Sequence, residues 1–283
     1  MSNYTQPPVY QMPPTGELIY LLFAGSAAAL VALYALYLAA TRRTAFPLLI
    51  LVGAFLTVLI EAPADVLGNA VHSQLGQRNA FTVRGAPVPW GVVLTYGFYA
   101  ATVPVALFDR IKTQSLTPRF WWGTYVVSLL AVCAVEQIPV HFGLWHYFGY
   151  QPFKIWEMPV SMVFANAACV VVPALLVYKL YPVLTGWRQL LVVGLIPCGT
   201  MAGWAAASLA IVNALGTDTE ANHGIVQLAA IATVGLSLLV TWAGITIMHW
   251  PAARAAGDLR GVPVPAVSAV SDLPAHSVKR AAS

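Results

Sequence analysis

Three acidic residues stand where the chain around them is apolar enough to make a charge expensive. Glu61 and Asp65 close an apolar run that begins at Phe46, and Glu136 follows the almost wholly apolar Val126 to Val135. A charged side chain deep in a membrane span costs roughly 2.5–3.5 kcal/mol on insertion scales, so it usually faces a cavity or a partner. Positions 61, 65 and 69 recur every four residues and His72 follows three later, so on a continuing helix all four share one face. Pro63 either lies in the first turn of a new helix or kinks an existing one. Two carboxylates from different spans, in unlike surroundings, are how one site can hold both a proton donor and a proton acceptor at neutral pH. The plainer readings are that Glu61 marks the membrane interface and that Glu136 makes a structural hydrogen bond between helices.

The stretch from Glu136 to Pro159 crowds His141, His146, Trp145, Trp156, Tyr147, Tyr150, Gly143, Gly149 and three prolines into one segment. It cannot form a single regular helix. It is expected to fold back over a cavity at membrane depth, with Trp145, Tyr147 and Gln151 as wall or lid. The same aromatics would also suit an interfacial belt. His141 and His146 are five apart with Gly143 between them, a spacing that does not place both on one helix face. They are secondary substrate-binding candidates, and no metal or cofactor is assigned. Asn166, polar among Val, Phe and Ala, is expected to hydrogen-bond across the bundle or to substrate, and Trp90, Tyr96 and Tyr99 are further interface or cavity aromatics. Asp218-Thr-Glu220-Ala-Asn-His223 reads as a solvated turn. Cys133, Cys169 and Cys198 lie in apolar runs and read as small core residues. No phosphate-binding glycine loop, zinc-protease motif, nucleophile elbow or CxxC is present.

The elements that must position these residues are membrane spans. The chain is 59% hydrophobic and only 8% charged over 283 residues, with a mean hydropathy of +0.74. Soluble domains carry roughly 25% charged residues. The expected fold is therefore all-α, a polytopic bundle of about seven transmembrane helices, since about 20 apolar residues cross a hydrocarbon core. The spans are Glu17 to Ala40, Phe46 to about Asp65, Val88 to Phe108, Phe120 to about Pro139, Met158 to Tyr178, Leu190 to Leu215 and Gly224 to Trp250. Residues 1–16 form a polar, Pro-rich segment without the basic start of a signal peptide, 17–250 the membrane domain, and 251–283 a disordered tail. Eleven of the 14 Lys and Arg fall on one side of this arrangement, leaving Arg78, Arg84 and Lys154 opposite. By the positive-inside rule the N-terminus is outside and the C-terminus cytoplasmic in a plasma membrane. The surplus positive charge is thus a topology signal, and no nucleic-acid partner is implied. Glu17, Glu61, Asp65, Glu136 and Glu157 gather with His72, His141, His146 and His223 toward the outer face.

These residues carry a resemblance. Glu136, then Gly143-Leu-Trp-His-Tyr147-Phe-Gly-Tyr-Gln151-Pro152-Phe-Lys, then Pro159 and Asn166, resembles the pattern of the avermectin-type, AveC-like spirocyclase family of actinobacterial membrane proteins. Glu61-x-Pro-x-Asp65 and Pro87-x-Pro89-x-Gly91 are in keeping with it, and the likeness covers roughly residues 47–178. It implies a membrane protein acting on a lipophilic, polyketide-like substrate, closing a dihydroxy-ketone to a spiroketal, sometimes with dehydration. It transfers no catalytic residues, so the roles rest on the chemistry of this chain. Glu136 is the candidate donor, Glu61 or Asp65 the acceptor, and the aromatic segment the group that excludes water. An acid followed by Gly, Tyr and Pro also occurs in membrane carotenoid hydratases and cyclases, which are the alternative. A small-molecule transporter or a non-catalytic lipid-binding protein is the second alternative. Substrate identity and oligomeric state are left open.

Overall fold

The computed structural model describes residues 7–83, 85–216 and 222–249. The tail beyond Trp250 and the acids Asp218 and Glu220 lie outside the described residues. Among the described residues ten α-helices make up nearly all of the regular structure: α1 (Pro14–Arg42), α2 (Phe46–Leu56), α3 (Glu61–Gly68), α4 (Trp90–Tyr99), α5 (Thr102–Ala106), α6 (Phe108–Lys112), α7 (Pro118–His141), α8 (Val160–Leu180), α9 (Leu191–Leu215) and α10 (His223–Met248). Six helical segments are long and apolar enough to cross a membrane, with α2 and α3 counting as one through the 3₁₀ turn Thr57–Ile60.

The segment expected as a third span is broken. Pro104 has no N–H to give the carbonyl four residues back, at Ala100, and the helix interrupts at Ala100 and Ala101 between α4 and α5. The pieces still run the length of α1. At one end Glu17 Oε1 accepts the backbone N–H of Arg78 at 2.7 Å, and Trp90, the first residue of α4, donates its N–H to the Arg78 carbonyl at 3.0 Å. At the other end, Arg42 in the last turn of α1 grips Asp109 of α6 through Nε and Nη2. The described residues thus hold six long apolar helices and this shorter, divided passage beside α1.

Helix α8 is the centre of the bundle. Of its most apolar stretch 72% is buried, against 22% for α1. It packs against α7, α9 and α10. Small residues bring α8 and α9 close: a Cβ on Gly203 would sit 2.8 Å from the Ala168 carbonyl oxygen, the close approach by which helices associate where no hydrophobic drive acts between them. Tyr125 and Ser237 hydrogen-bond at 2.8 Å, and Ser237 passes its hydroxyl to the Phe164 carbonyl at 2.6 Å, tying α7, α10 and α8. Exposed Leu22, Leu30, Leu33, Val127, Leu130, Leu209, Leu228 and Ile231 form the lipid-facing surface. The cysteines are free, with Cys169 buried but Cys198 exposed, so Cys198 is not the core residue expected.

The all-α expectation omitted three two-stranded antiparallel sheets. Strand β1 (Ala70–His72) pairs with β4 (Trp145–Tyr147), β2 (Asn79–Val83) with β3 (Ala86–Pro89), and β5 (Lys154–Ile155) with β6 (Met158–Pro159). All belong to connections at the end of the bundle where α1 begins. Non-helical backbone at such depth is tolerated where protein covers it or it borders a cavity.

Candidate active site

The first half of the site follows from a helix that stops and restarts. Pro63 cannot donate to the Leu59 carbonyl, and the chain tightens into the 3₁₀ turn before α3 begins at Glu61, with Pro63 in its first turn. Glu61 and Asp65 then stand one turn apart. The helix does not continue to His72 as expected. Asn69 adopts the left-handed conformation (φ 51°), ends α3 and sends the chain back along β1. His72 returns to the carboxylates from that strand, and Asn69 does not join them.

His72 Nε2 lies 3.0 Å from Glu61 Oε1 and 3.3 Å from Asp65 Oδ2. Tyr96 donates its hydroxyl to the other oxygen of Glu61 at 2.7 Å. Burial by itself would lower the pKa of the His72 imidazole, but the Asp65 and Glu61 carboxylates beside it push it up to about 10. The side chains of Glu61, Asp65 and His72 bring three ligating atoms within 4.8 Å of one another, a donor set suited to a divalent cation. As an imidazolium, His72 itself supplies the positive charge that this pair of acids faces.

The second half comes from α7 and the crossover after it. Glu136 Oε1 accepts from Asn166 Nδ2 at 2.6 Å, and its Oε2 accepts from the Tyr147 hydroxyl at 3.4 Å. Three residues on, Pro139 bends the end of α7, and Gly143 (φ 70°) turns the chain into β4. The register pairs His72 with Trp145, Val71 with His146 and Ala70 with Tyr147. Because side chains alternate along a strand, Trp145 and Tyr147 turn toward the carboxylates and His146 turns away. The Trp145 ring meets the His72 ring edge-on at 5.4 Å, whereas His146 lies against Tyr10 at 4.6 Å. Burial, with the neighbouring Glu136, holds the Tyr147 phenol well above its ordinary pKa, so it remains a donor.

Both halves border one cavity of about 100 Å³. Of the residues singled out in the sequence, Glu61, Asp65, Tyr96, Glu136, Trp145, Tyr147 and Asn166 line it. His72 stands behind its two carboxylates. His141 is exposed at the end of α7, its ring against Phe142. Gln151 is buried but serves the backbone, reaching the Gly68 and Phe148 carbonyls at 3.4 and 3.3 Å. His223, expected in a solvated turn, stacks on Tyr150 at 3.8 Å.

Tyr99, expected at the interface or a cavity, also lines it, whereas sequence reasoning missed Tyr20, Thr95, Cys169 and Trp204. Thr95 precedes Tyr96, and Tyr99 follows it by three, so that helix face carried a signal. Cys169 stands three residues after Asn166 in the same way. Tyr20 in α1 and Trp204 in α9 had none, being aromatics inside apolar runs. The chain matches no family model, no curated protein and no solved structure.

Proposed function

We propose that this protein is a membrane-embedded acid–base enzyme that closes a ring in, or removes water from, a lipophilic polyketide-like substrate. One observation carries the reading: three carboxylates share one cavity in two unlike settings. Glu61 and Asp65 share the His72 ring nitrogen, the setting of a proton-accepting pair. Glu136 is held by an amide N–H and a phenol, with no cation against it among the described residues. With no cation to hold it ionised, Glu136 is the carboxyl assigned the donor's part, and an acid and a base at one cavity are what ketal closure or dehydration requires. The aromatic walls exclude bulk water, which favours a reaction that expels water. The resemblance to the AveC-like spirocyclases points the same way for substrate class.

The cavity limits what enters. Cavities of roughly 150 Å³ hold a benzene-sized ring, so this one, at about 100 Å³, takes only a part smaller than benzene, and the remainder of the substrate lies elsewhere. The charge asymmetry of the connections supports a plasma-membrane protein with this cavity toward the outer face.

Glu136→Gln keeps the Asn166 contact and removes the transferable proton. Turnover should fall by at least about a hundredfold, while expression and thermal stability stay near wild type. A Glu136→Gln protein that unfolds, or one that stays active, would remove Glu136 from the mechanism. The substrate class is tested by comparing lipids of a deletion strain with its parent. A more hydroxylated, unclosed lipid should accumulate, and an unchanged lipid profile would sink the reading.

A further inference from the structure

The charge pattern of the cavity goes beyond the acid–base assignment. The ionisable acids lining it are Glu61, Asp65 and Glu136, and no Lys or Arg among the described residues lines it. The His72 imidazolium sits behind two of these acids, with its Nε2 already occupied by both. Six aromatic rings complete the wall, Tyr99 and Trp204 among them. Pro139 in α7 and Pro173 in α8 lack the N–H groups that would bind the carbonyls of Val135 and Cys169, and both of those residues border the cavity. The chamber therefore offers carboxylates and ring faces, with two residues on its wall whose carbonyls lack the regular helical donor. All of these attract positive charge.

We infer that the cavity is built to hold a cationic carbon centre formed when the substrate loses a hydroxyl group. This rests on the acid–base reading above and names the species between its two proton transfers. Glu136 gives its carboxyl proton to the hydroxyl oxygen. The carbon–oxygen bond breaks, water leaves with the electron pair, and the carbon keeps the positive charge. The cation then collapses in one of two ways. A second hydroxyl of the substrate forms the new carbon–oxygen bond and passes its proton to Glu61 or Asp65, closing a ring. Otherwise the adjacent carbon gives up a proton to the same pair and an alkene forms. Either way one water is released and one proton has moved from Glu136 to the acid pair, to be returned through solvent.

The test uses a small stable cation and a neutral molecule of similar shape, tetramethylammonium and tert-butyl alcohol. Both are titrated into the purified full-length protein in nanodiscs, with binding followed by calorimetry. The cation should bind at least about tenfold more tightly than the alcohol, which corresponds to about 1.4 kcal/mol. Trp204→Leu removes a ring face but none of the acids, and it should weaken the cation by roughly fivefold while leaving the alcohol nearly unchanged. Equal binding of the two molecules, binding of neither, or a cation preference untouched by Trp204→Leu overturns the inference. The outcomes separate from those of the acid–base reading. Glu136→Gln that stays active defeats that reading whatever the cation does, whereas a missing cation preference defeats this one even if Glu136→Gln is inactive.

Discussion

A single nitrogen, His72 Nε2, faces two carboxylates, and this sets how the site answers to pH. The imidazole titrates near 6.5 in an unfolded chain and near 10 in the folded one. Its protonated form is thus the one that folding favours. The stability it contributes is present in full below about pH 6.5 and is lost as the pH rises through about 10. His72→Gln, which leaves Glu61 and Asp65 facing each other without a cation, should lower the melting temperature most below pH 6.5. The gap from wild type should close toward pH 10. A gap that stays constant across that window would show that His72 is uncharged in the folded protein. At this scale the sequence was informative where a polar residue interrupted an apolar run. Glu61, Asp65, Glu136 and Asn166 stood out for that reason and do meet at one cavity. Tyr20, Trp204 and Cys169 did not, because an aromatic or a cysteine in an apolar run looks the same whether it faces a cavity, a core or lipid.

At the level of elements, proline positions told where helices break, and nothing told where strands pair. Pro63 and Pro104 each coincide with an interruption, since the missing N–H acts locally and needs no tertiary context. A strand of two or three residues shows no period that a sequence could display, so the pairing of β1 with β4 was invisible. Its effect on the site is large. His72 was placed beside Glu61 and Asp65 by helical spacing, yet it arrives there on a strand, after the left-handed turn at Asn69. A β-branched residue strains that conformation, and a left-handed residue with a Cβ costs roughly 1–2 kcal/mol. Asn69→Val should therefore destabilise the protein by about that amount and loosen the His72 contact, whereas Asn69→Gly should be tolerated. Thermal unfolding of the two variants checks this, and equal losses would show that the backbone angle at Asn69 is not what holds the strand. The same ladder explains why His146 was a poor guess. With Trp145 paired to His72, alternation turns the intervening His146 outward.

For the whole molecule, hydropathy revealed the membrane bundle, and only the contacts show that the divided α4–α5 passage runs beside α1 from end to end. Tyr10 bonds the Leu144 carbonyl just past the end of α7 and His249 the Leu116 carbonyl just before its start, so they stand at opposite ends of that helix, as an odd number of crossings would leave the two termini. Fusions of a periplasm-active phosphatase and a cytoplasm-active fluorescent protein to each terminus test this. The phosphatase should be active only at the N-terminus and the fluorescent protein only at the C-terminus, and both reporters active on one side would mean an even number of crossings. The clamp of Glu17 on Arg78 marks the end of the bundle that the proposed topology turns outward, and this carries a physiological consequence. On the proposed function and orientation the cavity exchanges protons and expelled water with the medium outside the cell, so turnover in intact cells should follow external acidity and ignore a shift imposed on the cytoplasm alone.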